Sequence, residues 1–194
     1  MPVSRPLVHE LVAQPATRAA LAPFGDLLGT EGLEPVQRGS SFYATRSALY
    51  RPGAITSTRP VEYIIYEADP RPFAVRYLER HVELTQSFVP LGGVPFVVVV
   101  ARPDAREDEH GFPALDEIHA FVVPGDAGLS LHLGTWHEPP FPLVPGSRFL
   151  LTSHTALTQG LQSPLDARGE MAKDDVEKRN LEGRTGVELR VRLP

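Results

Sequence analysis

The stretch RYLERHVELTQSFVPLGGVPFVVVVA, residues 76–101, joins candidate catalytic side chains to the most strongly strand-forming run in the sequence. Its last six residues, 96–101, are continuously apolar and mostly β-branched, which predicts a strand that is buried on both faces. Earlier in the stretch, Glu79 and His81 lie two positions apart, so on a strand their side chains point to the same face. The segment 90–93, Pro-Leu-Gly-Gly, predicts a turn before the apolar strand. The stretch therefore predicts polar groups held next to a buried sheet.

Outside this stretch, short segments rich in β-branched and aromatic residues alternate with turns. Twenty prolines and sixteen glycines are scattered along the 194 residues, which favours a sheet-rich fold over a helical bundle. We expect strands in the following segments: 61–67, 73–81, 118–123, 129–135, 148–152 and 187–193. No repeat or change of composition marks a boundary. The sequence therefore predicts one all-β domain over residues 1–194, a sandwich or barrel decorated by a short helix.

Four local expectations concern the segments between these strands. Residues 15–28 carry Ala, Leu and Phe at helical spacing, with Thr17 as a candidate N-cap, which predicts one short helix. Residues 40–50 predict a strand or an ordered loop. The turn 124–128 is rich in Gly and Asp, which predicts that the strands on either side of it pair as a hairpin. Residues 163–182 interleave basic and acidic side chains, which predicts a polar helix or a loose excursion.

Composition narrows the class of protein and its partners. A formal net charge of −5, a pI near 5.8 and the lack of a Lys/Arg cluster argue against nucleic acid and anionic membranes as partners. The chain has no cysteine, so a metal would have to be bound by His, carboxylate or amide oxygen. The first residues lack the apolar core of a signal peptide, and the longest apolar run, 94–101, is too short to span a bilayer. We therefore expect a cytoplasmic protein.

A second motif, Gly-Thr-Trp-His at 134–137, follows the first by about fifty residues. Small β-barrels of the cupin type carry their site on two motifs. The first is His-x-His, four residues, a carboxylate, six residues and Gly, and the second is Gly-x-x-His on a later hairpin. Here Glu79 and His81 stand in place of the His pair, Gln86 stands in place of the carboxylate, and His137 ends the second motif. The two motifs predict one pocket for a small molecule.

The donor set in this pocket allows two kinds of chemistry. His81, Gln86 and His137, together with Glu79, could bind a divalent metal such as Ni, Mn, Fe or Zn. An amide oxygen is a weaker ligand than a carboxylate, so we expect the metal to be held loosely. Without a metal, His81 and Glu79 would act as an acid/base pair in which the carboxylate orients the imidazole.

Residues close to the second motif are further candidates for contact with a substrate. Trp136 is expected in the core or in the pocket wall. His132 is a second candidate for substrate binding. Arg80 has the opposite strand parity to Glu79 and His81, so it is predicted to pack or pair outside the pocket.

At these residues the sequence resembles the ureidoglycolate lyase family. The resemblance runs from about residue 21 to residue 152. Its elements are Phe-Gly-Asp at 24–26, Leu-Glu-Arg-His at 78–81, Gln-Ser-Phe-Val-Pro-Leu at 86–91, Phe-Val-Val-Val-Val-Ala at 96–101, Ala-Phe at 120–121 and Trp-His-Glu-Pro at 136–139. The resemblance implies a cupin-like double-stranded β-barrel (jelly roll) with a few short helices, usually a homodimer. It also implies cleavage of ureidoglycolate to glyoxylate and urea late in allantoin breakdown, and stimulation by a divalent metal in some members.

The implied reaction suits these side chains. A base removes the hydroxyl proton of the carbinol amide, the aldehyde carbonyl forms, and urea leaves with a proton from an acid. His81, oriented by Glu79, or His137 would be the base, and the other imidazole would be the acid. Gln86 would bind the ureido group or complete the metal shell. A bound cation would hold the hydroxyl and carboxylate oxygens.

Three positions depart from the family pattern. Glu67 and His154 stand where the family commonly has arginine, and Glu138 replaces the second His of a Trp-His-His-Pro element. If those arginines bind the substrate carboxylate, this chain lacks that clamp, and Glu67→Arg should tighten glyoxylate binding. Alternative functions are therefore a lyase for another hydroxy acid or carbinol amide, a metal-dependent cupin isomerase or oxygenase, and a non-catalytic cupin that binds a small metabolite.

Overall fold

The computed structural model describes residues 7–39, 42, 46–160 and 162–194. Within these residues the chain is built from short strands and a few helices of three to six residues. The strands are β1 Leu7–Val12, β2 Gln14–Pro15, β3 Gly25–Leu28, β4 Gln37–Arg38, β5 Ala48–Leu49, β6 Glu62–Ala68, β7 Ala74–Val75, β8 Tyr77–His81, β9 Ser87–Leu91, β10 Phe96–Ala101, β11 Ile118–Val123, β12 Gly128–Leu131, β13 Trp136–Pro142, β14 Ser147–Ser153, β15 Met171–Lys173, β16 Val176–Asn180 and β17 Val187–Arg192. The helices are α1 Arg18–Leu21, the 3-10 turn Leu115–Glu117, α2 Thr155–Gly160 and α3 Leu181–Thr185.

The architecture is an all-β, cupin-like double-stranded barrel. A seven-stranded sheet, here the large sheet, has the order β15-β16-β8-β13-β10-β11-β2. It faces a five-stranded sheet, the small sheet, of order β3-β12-β9-β14-β6. A three-stranded back sheet, β1-β17-β7, packs on the other side of the large sheet. The predicted fold class is confirmed.

Strand β10 lies at the centre of the molecule, and all six of its side chains are buried. Its even-numbered side chains pack into the barrel interior and its odd-numbered side chains pack against the back sheet. This two-sided burial is what the continuous apolar run predicted. Each buried valine contributes about 1.5–3 kcal/mol of transfer free energy, so β10 anchors both cores.

Two hydrophobic cores result from this arrangement. The barrel interior is filled mainly by Leu27, Phe88, Phe96, Val98, Val100, Phe121, Leu129 and Phe149. The back core is filled mainly by Val97, Val99, Ala101, Trp136, Phe141, Leu189 and Val191. The interior core occupies one part of the barrel, and a cluster of polar side chains continues from it past Phe88. The polar cluster therefore packs against the apolar core of the barrel interior.

The expected strands are present, with bounds that differ by a few residues. The helix expected over 15–28 is only α1, because the chain turns into β3 at Gly25. Thr17 does cap it, since its hydroxyl accepts a hydrogen bond from the backbone N–H of Ala20 at 3.2 Å. Of the segment 40–50, residues 40, 41 and 43–45 lie outside the described part of the chain; Ala48–Leu49 forms a two-residue strand.

The predicted hairpin across residues 124–128 is wrong. Strand β11 pairs with β10 and β2 in the large sheet, whereas β12 pairs with β3 and β9 in the small sheet. The turn therefore carries the chain from one wall of the barrel to the other. Gly125 is required there, because a Cβ would lie 1.9 Å from the carbonyl oxygen of Gly93.

The prediction for residues 163–182 is also wrong. Instead of a polar helix or a loose excursion, this segment contains the hairpin β15–β16, and β16 pairs antiparallel with β8 from Val176↔His81 to Asn180↔Tyr77. Its charged side chains pair across the two strands; Glu177, for example, accepts a hydrogen bond from Arg80 at 2.8 Å. Within the described residues, no helix is long and apolar enough to cross a membrane.

Candidate active site

Four polar side chains predicted from the two motifs meet in the barrel interior. Glu79 and His81 project inward from β8, Gln86 immediately precedes β9, and His137 lies on β13 directly opposite Glu79. All four are buried, with relative exposures of 1–7%. The structure therefore brings the two sequence motifs together into one cluster.

His137 is held from both sides of its ring. Its Nδ1 lies 3.0 Å from the carbonyl oxygen of Thr135, which can only accept, so Nδ1 carries the proton. Burial lowers the pKa of His137 to about 4, which keeps the ring neutral and leaves a lone pair on Nε2. The atom placed 2.8 Å from this Nε2 is the amide oxygen Oε1 of Gln86. When the ring is neutral and no metal is bound, the amide must turn its NH2 group toward Nε2.

Glu79 is ionised and paired with a lysine. Its Oε2 accepts a hydrogen bond from Lys178 Nζ at 2.8 Å, and its Oε1 lies 3.7 Å from His137 Nε2. Burial raises the pKa of Glu79, but the Lys178 ammonium and the imidazoles lower it by more, so it lies below its usual value. Burial lowers the pKa of Lys178, and the Glu79 carboxylate raises it by more. The site therefore contains a buried ion pair.

His81 meets a carboxylate that the motifs did not include. Its Nδ1 lies 3.3 Å from Oδ2 of Asp175, in the turn between β15 and β16. The expectation that Glu79 orients the His81 ring is therefore wrong. The other ring nitrogen, Nε2, is buried and has no hydrogen-bond partner in the described part of the chain. The His81 ring also lies next to that of His137, with 5.3 Å between centroids.

Asp175 contacts a second imidazole. Its Oδ2 lies 3.3 Å from Nε2 of His154, and its Oδ1 accepts a hydrogen bond from the backbone N–H of Glu83. Burial raises the pKa of Asp175, whereas His81, the Glu83 N–H and His154 lower it to below its usual value. From the sequence, His154 was identified only as a departure from the family pattern, and Asp175 and Lys178 were not identified. No local pattern indicates them, because residues 175–179 include a single apolar side chain and pair with β8 over a long distance in the sequence.

The residues present fit a divalent metal. One donor atom from each of Glu79, His81 and His137 lies within 4.8 Å of the other two, and all three side chains are buried. The unpartnered Nε2 of His81 and the lone pair of His137 supply two nitrogen ligands, and Gln86 could supply an amide oxygen. The Lys178 ammonium competes with a cation for Glu79, which agrees with loose retention.

Two other predicted site residues lie elsewhere. Trp136 belongs to the back core, and the guanidinium carbons of Arg80 and Arg179 lie 4.4 and 4.7 Å from its ring centroid. Because neighbouring residues on a strand alternate, Trp136 faces away from the cluster that holds His137. Arg80 contacts Trp136 and Glu177 and lies outside the cluster, as predicted. His132 follows the end of β12 and is exposed, so the structure does not bring it to the cluster.

The three departures from the family pattern are separated in space. Glu67 is exposed on the outer face of the small sheet, opposite Arg148, whereas its neighbour Tyr66 faces inward. A side chain at position 67 therefore points away from the interior, which contradicts a substrate clamp there within one chain. His154 contacts Asp175. Glu138 Oε1 lies 3.0 Å from Arg71, and burial raises its pKa to about 7.

The sequence was compared with family profiles and with curated proteins. The profile of the ureidoglycolate lyase family matches residues 8–177. A protein named ureidoglycolate lyase from Azotobacter vinelandii is 34% identical over 143 residues, covering 73% of this chain and 82% of that protein. Proteins of the same name from Pseudomonas savastanoi pv. phaseolicola and Brucella anthropi are each 32% identical, covering 76% and 80% of this chain and 85% and 89% of their own. The chain belongs to the ureidoglycolate lyase family.

Proposed function

We propose that this protein is a ureidoglycolate lyase, which cleaves ureidoglycolate into glyoxylate and urea in allantoin breakdown. The observation that carries the proposal is the buried cluster of Glu79, His81 and His137 in a chain of this family. Among the described residues, the unpartnered Nε2 of His81, next to a second imidazole, a carboxylate and an ammonium, suits proton transfer to and from a small polar substrate.

His81 is the proposed base. Its unpartnered Nε2 takes the proton of the substrate hydroxyl, and the oxygen electrons form the C=O bond of glyoxylate as the C–N bond breaks. The electron pair of that bond goes to the leaving nitrogen. The His81 imidazolium then returns the proton to this nitrogen and releases urea, so one group serves as base and as acid.

His137 is less suited to donate a proton. Its pKa of about 4 keeps it neutral, and its only N–H is bonded to the carbonyl of Thr135. We assign its Nε2 lone pair and the amide of Gln86 to the N–H and C=O groups of the ureido moiety. The proposal therefore assigns both proton transfers to His81 and substrate binding to His137.

Lys178 is the proposed partner of the substrate carboxylate. It lies 2.8 Å from Glu79 and remains partly accessible, with 21% of its side chain exposed. Glu67 faces outward and His154 contacts Asp175, so neither position supplies a cation to the cluster. An ammonium at the edge of the site can provide the charge-assisted hydrogen bond that the missing arginines would otherwise make.

A divalent metal, when bound, would be held by Glu79, His81 and His137, with Gln86 as a weak fourth ligand. Because it would occupy Nε2 of His81, metal binding is an alternative to the role of His81 as base. It would act as a Lewis acid that polarises the substrate hydroxyl and carboxylate oxygens. Ni, Mn and Zn all accept this mixed nitrogen and oxygen set.

The proposal also covers the domain organisation, oligomeric state, location and partners of the enzyme. We propose a single domain over residues 1–194 that works as a homodimer in the cytoplasm, without nucleic acid or membrane as partner. The family resemblance supports the dimer, and the net charge of −5 supports the absence of a polyanionic partner.

The test is product release from racemic ureidoglycolate by the purified protein, with chelator and with added Mn²⁺, Ni²⁺ or Zn²⁺. We expect one enantiomer to give glyoxylate and urea in equal amounts, well above the spontaneous rate without enzyme. Equal decay of both enantiomers at the spontaneous rate under every metal condition would contradict the proposal. Other carbinol amides and hydroxy acids would then be the substrates to assay.

A further inference from the structure

We infer that Asp175 is a positioning residue that holds His81 as the Nδ1–H tautomer, so that the Nε2 lone pair faces the interior of the barrel. The inference rests on the proposed function for its catalytic meaning, because a base at Nε2 requires the proton to be on Nδ1. The tautomer itself is a property of the free protein. It can therefore be tested whether or not ureidoglycolate is the substrate.

Several buried polar atoms converge at Asp175. Four of them, His81 Nδ1, His81 Nε2, His154 Nε2 and Asp175 Oδ2, are shielded from solvent and have no hydrogen bond of good geometry in the described part of the chain. Three of these four meet at Oδ2, where both nitrogens lie 3.3 Å away. A buried carboxylate is stable only when its neighbours donate to it. Both imidazoles must therefore turn an N–H toward Asp175.

The tautomer of His154 is already fixed by its other ring nitrogen. The backbone N–H of Leu157 donates to His154 Nδ1 at 3.2 Å, so this nitrogen has a lone pair and the proton is on Nε2. His154 is thereby a neutral donor to Asp175. Because His154 is neutral, the negative charge of Asp175 is not neutralised by it. The Nδ1 of His81 must therefore also carry a proton and donate to the Asp175 carboxylate.

Backbone hydrogen bonds fix Asp175 against the end of β8. The backbone N–H of Val82 donates to the Asp175 carbonyl at 3.2 Å, and the backbone N–H of Glu83 donates to Oδ1. The next residue, Val176, pairs directly with His81. The carboxylate therefore has its free oxygen, Oδ2, fixed at the ring of His81. Such outer partners typically change activity by about 10- to 100-fold when they are replaced.

A small apolar cluster supports the arrangement from outside. Leu157 on α2, Met171 on β15 and Val176 on β16 pack together, separate from the two main cores. This contact holds the helix that begins next to His154 against the hairpin that carries Asp175. The hairpin thus presents a carboxylate to the back of the site, in addition to the lysine that it contributes at the edge.

The test compares Asp175→Asn with Asp174→Asn. Asp174 is the exposed neighbour in the same turn, with φ of 51°, a conformation that asparagine adopts readily, so it is a matched loss of charge. In Asp175→Asn the Glu83 N–H retains the amide oxygen, which places the amide NH2 in the position of Oδ2. This group would donate to His81 Nδ1 and drive the proton to Nε2.

The measurement is ¹⁵N NMR of the histidine rings in metal-free protein, with His81→Gln used to assign the signals. We expect the Nδ1–H tautomer in the wild type and in Asp174→Asn, and the Nε2–H tautomer in Asp175→Asn. We also expect kcat to fall about 10- to 100-fold in Asp175→Asn, with KM changed less than about threefold.

A wild-type His81 in the Nε2–H form would overturn the inference even if every variant failed to fold. An unchanged tautomer in folded Asp175→Asn would overturn it as well. If the tautomers behave as expected while ureidoglycolate is not cleaved, the positioning role stands and the proposed substrate is wrong.

Discussion

Replacing Lys178 by methionine tests the electrostatics of the site. The change keeps most of the side-chain volume but leaves the Glu79 carboxylate buried without the ammonium that lies 2.8 Å away. At that distance two unit charges attract by about 6 kcal/mol with an effective dielectric constant of about 20. The desolvation of Lys178 offsets roughly half of this attraction, so we expect the free energy of unfolding to fall by about 3 kcal/mol. For a chain of this size that corresponds to a decrease in Tm of about 6–12 °C.

The assay is urea unfolding at pH 7 of wild type, Lys178→Met, Glu79→Gln and the double variant. Glu79→Gln removes the carboxylate charge that Lys178→Met leaves unpaired. The free energy of unfolding of the double variant should therefore be at least about 1.5 kcal/mol higher than the sum of the two single changes predicts. Lys173→Met, on the exposed face of β15, should change stability by less than about 0.5 kcal/mol. Strict additivity of the two site variants would refute the buried ion pair. Loss of Lys178 should also raise metal affinity, since a cation would no longer compete for Glu79.

Three further outcomes follow from the positions of Glu138, Trp136 and Glu67. Burial raises the pKa of Glu138 to about 7, so the folded state binds this proton more tightly than the unfolded state. The free energy of unfolding therefore falls as pH rises from about 4.5 to 7. Glu138→Gln should remove up to about 3 kcal/mol of this fall, as measured by urea unfolding. Trp136→Phe should leave KM within about twofold while lowering stability by about 1–3 kcal/mol, and a large rise in KM would place the indole in the pocket. Glu67→Arg should leave glyoxylate affinity unchanged in a competition assay, because position 67 faces outward; tighter binding would restore the clamp hypothesis.

Much of the fold could be predicted because the strands bury one or both faces. All residues of β10 are buried and are apolar, and alternate residues of β17 are buried and are apolar. Burial therefore produces a pattern in the sequence that predicts each strand. The sequence pattern does not indicate which other strand each one pairs with. The turn 124–128 has the composition of a hairpin loop, but it crosses between the two walls of the barrel, where Gly125 packs against another turn.

The site was only half visible in the sequence. Glu79, His81, Gln86 and His137 were found because their spacing matches two motifs on strands with recognisable alternation. Asp175 and Lys178, in contrast, lie in a hairpin whose charged residues satisfy partners on β8, so they have no apolar period that would indicate a strand. Their roles come from long-range pairing, which no local pattern contains.

The proposed function depends most on His81 acting as the base. The direct measurement is the rate of glyoxylate release from racemic ureidoglycolate by wild type, His81→Ala and the control His110→Gln, which changes an exposed histidine in the loop 102–112. We expect turnover well above the spontaneous rate for the wild type and the control, and no enantioselective turnover for folded His81→Ala. Near-normal turnover by folded His81→Ala would contradict it.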